Sequence, residues 1–184
     1  MTRQVFIATV AGTALALVVC AVARPAGAQT MSPTCTPSCM VTTAELWPPN
    51  HQLTDVGLSV TNCNSSNSCT INIYSNQKDL ETSSGDFSPD AKSPTPNQPP
   101  LCLRAERDGI DHPDGRVYLI IVKNGSGCDC CTVEVSHDRS DTSEMTVDDQ
   151  AAAAQTYCQM TCMAPMGYSQ VGVGPVVGPK QTCN

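Results

Sequence analysis

The chain has 184 residues, 40% of them hydrophobic but only 4% aromatic, and a formal net charge of −7 at pH 7. An acidic surface repels nucleic acid and anionic lipid and favours cations, and so few rings exclude a core built on large aromatic side chains. Twelve cysteines are available to do that work instead.

Residues 1–28 read as an export signal. Arg3 supplies a positive start, VFIATVAGTALALVV an apolar core, and Ala26-Gly27-Ala28 the small-residue cleavage pattern. Lipidation at Cys20 is the competing reading, but Val19 precedes it where a small residue is wanted. No other apolar run approaches the roughly 20 residues of a membrane span. Removing 28 residues from 184 leaves 156, enough for one domain, and loss of Arg3 and Arg24 takes the charge from −7 to −9. Export makes disulfides the default use of thiols. The candidates are Cys35, Cys39, Cys63, Cys69, Cys102, Cys128, Cys130, Cys131, Cys158, Cys162 and Cys183. Their number is odd, so one thiol must be free, joined to another chain or capped.

Residues 29–45 form a Cys/Pro/Thr-rich N-terminal arm, and 46–139 carry the strands. In TDVGLSVT (54–61), Val56, Leu58 and Val60 alternate with polar neighbours, predicting a half-buried strand. CTINIYS (69–75) repeats the pattern with Cys69, Ile71 and Ile73. Residues 81–100 hold five prolines among Ser, Asn and Gly and predict a long irregular connection. LCLRAER (101–107) turns Leu101, Leu103 and Ala105 inward. RVYLIIVK (116–123) is apolar on both faces, as a central strand is. NGSG (124–127) is a turn, and CTVEVS (131–136) turns Cys131, Val133 and Val135 inward. Short strands with turn-rich loops and no intervening helix predict a mainly β protein, an antiparallel immunoglobulin-like β-sandwich. Residues 140–184 then give a C-terminal helix over 140–163, with Ser140 or Asp141 as N-cap, followed by an extended Gly/Pro-punctuated tail. Cys158 and Cys162 share one face of that helix. Adjacent Cys130 and Cys131 project to opposite faces of a strand and must find different partners, which would tie the sheet to both the interior and an arm.

LWPPNHQLTDVGLSVT, SNQKDLETSSGDFSPD, LCLRAERDG, GRVYLIIVK and VSHD, in that order, resemble a secreted bacterial immunoglobulin-like module with the form LWPPNHKL…LRAERSG…GRVYTI…VPHD. The resemblance covers about residues 45–139. It implies a β-sandwich akin to cadherin-like and hyalin-repeat modules, which serve in adhesion or as spacers. Ser136 stands where the pattern has proline, KNGSGCDCC replaces its usual turn, and Cys-bearing arms flank a single module.

Among candidate residues, Trp47, Pro48, Pro49, Asn50 and His51 are expected to buttress the fold: the prolines forbid a helix, Leu46 and Trp47 cap the open end of the sandwich, and Asn50-His51 turn the chain. Arg104, Arg107, Arg116 and Tyr118 complete the structural motif. Asp86, Asp90, Glu106 and Asp138 are the candidate ligands of a Ca²⁺ site, since hard carboxylate oxygens at strand ends suit that ion. Against it stand the absence of an EF-hand pattern and the arginines, which can use up the same carboxylates as ion pairs. Two C-x3-C pairs pass a zinc spacing test, but the oxidising compartment favours disulfides. His51, His112 and His137 mark no reaction centre, because no nucleophile or paired-carboxylate signature accompanies them. The function expected is a non-catalytic binding, adhesive or structural role at or outside the cell surface, with an unknown protein or surface glycan as partner. A subunit of an extracellular assembly, self-associating through tail-strand addition or the odd cysteine, is the alternative, and a metal-dependent enzyme the remaining one.

Overall fold

The computed structural model describes residues 36–63, 68–79, 87–92, 100–108, 114–178 and 183. It is mainly β with one helix, in the order β1 (Ser38–Met40), β2 (Leu53–Asp55), β3 (Ser59–Thr61), β4 (Thr70–Ser75), β5 (Ala91–Lys92), β6 (Cys102–Arg104), β7 (Gly115–Asn124), β8 (Gly127–Ser136), α1 (Asp141–Thr161) and β9 (Ser169–Gln170). No helix among the described residues is long and apolar enough to cross a membrane.

The expected strand over 54–61 is bent into two. Gly57 adopts φ +60°, and its amide is held by the Asp55 carboxylate at 2.8 Å, so β2 pairs with β6 while β3 pairs with β1. Val56 sits at the bend with no exposure and joins both halves: its amide donates to the Leu101 carbonyl, and its carbonyl accepts from Thr42 and Thr43. Leu58 and Val60, expected inward, are only half-buried because the bend turns them toward the rim of the core. Three open sheets result, β1-β3, β2-β6-β5 and β8-β7-β4-β9, and Val56 links the first two into one layer, β1, the bent β3/β2, β6, β5. With β2 and β3 counted as one strand and the tail strand β9 set aside, this is the four-plus-three order of an immunoglobulin-like sandwich. The tail strand β9 adds to the free edge of β4.

The stretch read as an N-terminal arm is part of the sandwich. It supplies edge strand β1 to one sheet, then crosses to the other, where the Leu46 amide donates to the Glu134 carbonyl and the Glu134 amide to Ala44. The closing strand begins earlier than CTVEVS suggests, at Gly127. Asn124 makes this possible by accepting from the Ser126 and Gly127 amides and folding a two-residue hairpin loop.

Strand β7 explains the layering. Tyr118, Ile120 and Val122 face the inter-sheet core with Leu101, Leu103, Val133 and Val135. Val117, Leu119 and Ile121 face the other way, where α1 covers them with Val147, Ala151 and Cys158. Val147, Ala151, Ala154 and Cys158 recur at helical spacing and are all buried. Two continuous apolar faces thus serve two interfaces, a sheet below and a helix above.

The ten described cysteines form five disulfides: Cys39–Cys131, Cys63–Cys69, Cys102–Cys183, Cys128–Cys162 and Cys130–Cys158. Cys130 and Cys131 do part to opposite faces, one to the helix and one to the N-terminal strand. Cys35 lies outside the described residues.

Candidate functional site

At the pole where β2 begins and β6 ends, the sequence motifs converge on one buried polar cluster. LRAER places Leu103 and Ala105 in the apolar core, and this alternation should leave Arg104 and Glu106 in water. Both are instead 2% exposed, as is Arg116 from GRVY, and Asp90 from SPD has no exposure. Four buried charges at one site require partners, since an unpaired ion there costs several kcal/mol.

Each has them. Arg116 Nη1 meets Asp90 Oδ2 at 2.8 Å, and Arg104 Nε lies 3.4 Å from Asp90 Oδ1 and 3.9 Å from Glu106 Oε2. Arg104 also donates to the His51 and Pro89 carbonyls at 2.8 and 2.7 Å, tying the WPPNH and SPD segments together. Arg116 donates further to Gln77 Oε1, the Lys78 carbonyl and the Tyr118 hydroxyl. That hydroxyl donates in turn to the Arg104 carbonyl at 2.8 Å, a contact akin to the tyrosine corner of immunoglobulin-like folds. Glu106 accepts from the Phe87 amide at 3.0 Å and pairs with His51 Nδ1 at 2.9 Å, while the imidazole packs edge-on against Phe87. Arg107 reaches away, to the His137 carbonyl.

Burial pushes the Asp90 carboxyl up to about 7, against the pull of Arg116. Glu106 is raised for the same reason, with the His51 hydrogen bond opposing. Burial disfavours the Arg116 charge, but Tyr118 and Asp90 outweigh it and keep the guanidinium firmly protonated.

Two residues not singled out from the sequence extend the cluster. Gln77 bridges Arg116, the Asp108 amide and the Gly115 carbonyl. Asp79 accepts from the amides of Asp90, Gly172, Val173 and Gly174, so it fastens the C-terminal tail to the pole. A Cβ on Gly174 would stand 2.8 Å from Asp79 Oδ2 and from Ser88 Oγ, which is why glycine is found there. The tail's hydrogen bonds are thus committed to its own chain, with Val177 bridging Ser88. Nothing in the spacing of NQKD or VGVG signals this match of one carboxylate to a run of amides 93 to 95 residues away.

The three described carboxylates among those read as Ca²⁺ ligands do not form one ligand group. Asp90 and Glu106 are engaged by guanidinium and imidazole groups. Asp138 stands apart: hydrogen bonds from the Ser140 side chain, then from the Ser140 amide, then from His137 Nδ1 at 3.1 Å pull it down to about 2. Asp86 lies outside the described residues. No group of three His, Cys, Asp or Glu side chains suited to a metal ion occurs among the described residues.

The opening motif is also differently disposed from expectation. Leu46 is buried and caps the core, but Trp47 is 37% exposed, because backbone pairing of Leu46 to β8 turns the next side chain outward. Arg139 lies over its ring at 5.2 Å and pairs with Glu45 at 3.1 Å. Asn50 folds a turn by accepting from the Gln52 amide, and His51 takes φ 61° to enter β2. Pro48 follows a cis peptide bond, and Pro49 is half-buried beside it.

Beside this segment a cleft of about 450 Å³ opens between the N-terminal strand, β8 and α1, lined by Ala44, Glu45, Glu134, Ser136 and Asp148. Burial, then a hydrogen bond with Asp148 and the charges of Asp148 and Glu45, raise Glu134 to about 8. In VEVS, Glu134 reads as a solvated outward residue. Only the helix laid across that face makes it otherwise.

No protein-family model, no curated protein and no solved structure matches the chain.

Proposed function

We propose that this is a secreted, disulfide-stabilised immunoglobulin-like module with a non-catalytic binding, adhesive or structural role outside the cell. The observation that carries the reading is the engagement of the motif residues. Arg104, Glu106, Arg116, Tyr118, Asp90 and His51 hold one another and the loops around them. A reaction centre needs groups poised toward a substrate, whereas these are paired with one another, and all but the half-exposed His51 are buried. What the module offers a partner, protein or glycan, is its outer surface, including Trp47 at the same pole.

The test separates fold from surface. Trp47→Ala is expected to lower melting less than Arg116→Met does and to reduce retention of the protein on the producing cells, whereas Arg116→Met is expected to lower melting without a specific loss of retention in the molecules that stay folded. A catalytic turnover abolished by a single substitution that leaves melting intact would overturn the reading.

Self-association is a second reading, favoured by the pairing of the ten described cysteines with one another. Of the eleven beyond the export segment, that leaves Cys35 for a link to another chain. Non-reducing electrophoresis of the secreted protein is expected to show a dimer that Cys35→Ser abolishes. Strand donation by the tail has less support, because the tail is already paired within its own chain.

A further inference from the structure

Three of the chain's seven methionines fall within seven residues, at 160, 163 and 166. They are 74%, 54% and 98% exposed, so none contributes to a core. They surround the C-terminal end of α1, whose last turn contains no basic residue. A 21-residue helix presents partial negative charge there from its terminal carbonyls. Cations are favoured at such an end, and this chain places no cationic side chain of its own in that last turn.

The segment is also fixed in place. The Cys162 amide donates to the Cys158 carbonyl, both cysteines are tied by disulfides to β8, and Tyr168 closes the following turn by donating to Pro165 and packing on the helix–sheet interface. Successive methionines are three residues apart, at most about 11 Å of chain, a gap that two thioether arms and a bridging ion can close. Methionine's three rotatable bonds permit that adjustment without moving the backbone. Thioether sulfur is a soft donor that selects monovalent copper and its analogues over Ca²⁺, Mg²⁺ or Zn²⁺. Thiolates would compete for such an ion, but all ten described cysteines are oxidised in pairs.

We propose that Met160, Met163 and Met166 form a binding site for a soft monovalent cation, Cu(I) or Ag(I), at the C-terminal end of α1. The ion binds in its existing oxidation state with sulfur lone pairs as donors, so no electron or proton is exchanged.

The test titrates the full secreted protein, carrying Cys35→Ser to remove a rival thiol, with Ag(I), and with Cu(I) under anaerobic competition against a chromogenic chelator. One equivalent per chain is expected, with the ¹³C-methyl resonances of these three methionines shifting on binding. The triple variant M160L/M163L/M166L is expected to bind more weakly by more than about a hundredfold, beyond what loss of a merely supporting residue causes, and to melt with the parent. Met166→Leu alone, at the most exposed position, provides a milder variant for the same comparison. The proposal is overturned if the parent takes up no ion at micromolar concentration, if the triple variant binds as the parent does, or if the shifted methyls belong to other methionines. It is also overturned if only the protein retaining Cys35 binds.

Discussion

The β7–β8 hairpin and the polar pole beside it are neighbours held by different physics. The hairpin is paired through ten consecutive positions from Gly115↔Ser136 to Asn124↔Gly127, and its stability is spread over many apolar contacts on two faces. The pole has little regular pairing; a few buried charges bind four separate segments. Distributed packing degrades in steps when one side chain is shortened. A buried ionic cluster fails as a unit, because removing one member leaves the rest uncompensated.

The largest effect is therefore expected at the pole. Arg116→Met takes from Asp90 its closest cation, leaving only Arg104 at 3.4 Å, and is expected to cost about 3–5 kcal/mol in denaturant unfolding. Adding Asp90→Leu is expected to recover part of that loss. A double variant as unstable as the sum of the singles would show that the two charges are not coupled. Next comes Ile120→Ala in the hairpin, with no exposure in the native state, at about 3 kcal/mol. Its loss is expected to add to that of Arg116→Met, since the two sites use different partners.

Opening the tail disulfide with Cys102→Ser/Cys183→Ser is expected to cost about 2–3 kcal/mol. Hydrogen exchange should locate the change: amides of Gly172, Val173 and Gly174 lose protection, while β7 and β8 keep theirs. Faster exchange throughout the hairpin would mean that pole and hairpin are not separable. The smallest effect is a pH dependence at the cleft. Glu134 is raised to about 8 in the folded chain, so its contribution is fully present below the ordinary glutamate value and lost as pH rises through about 8. Glu134→Gln, which cannot ionise, is expected to melt above the parent at pH 9 and with it at pH 5.

The hairpin was legible because its signals are local. RVYLIIVK is apolar at every other residue on both faces, NGSG is a turn, and VEVS alternates, so strand, loop and strand follow from side-chain period alone. The helix was legible from its cap and alanine run, and adjacent cysteines on a strand had to diverge. The split at Gly57 was not, because the alternation of TDVGLSVT continues straight through the residue where the backbone turns. The pole was half legible. Its arginines could be recognised as motif members and its carboxylates as candidate ligands, but their partners arrive from loops far apart in sequence. The raised Glu134 depends on a helix crossing a strand face, a relation that no stretch of either one encodes. Among the candidate calcium ligands, residue type gave the chemistry of Asp90 and Glu106, but the guanidinium and imidazole groups beside them come from segments that no local pattern links to them.

Strand β8 is anchored on both sides by consecutive residues, Cys130 to the helix and Cys131 to the N-terminal strand. A protease that severs the chain in the loop after β8, or between β1 and β2, therefore releases nothing. The pieces stay covalently attached to the same strand, and a nicked molecule keeps its mass and its outline. Damage of this kind goes undetected until the sulfur links themselves are reduced.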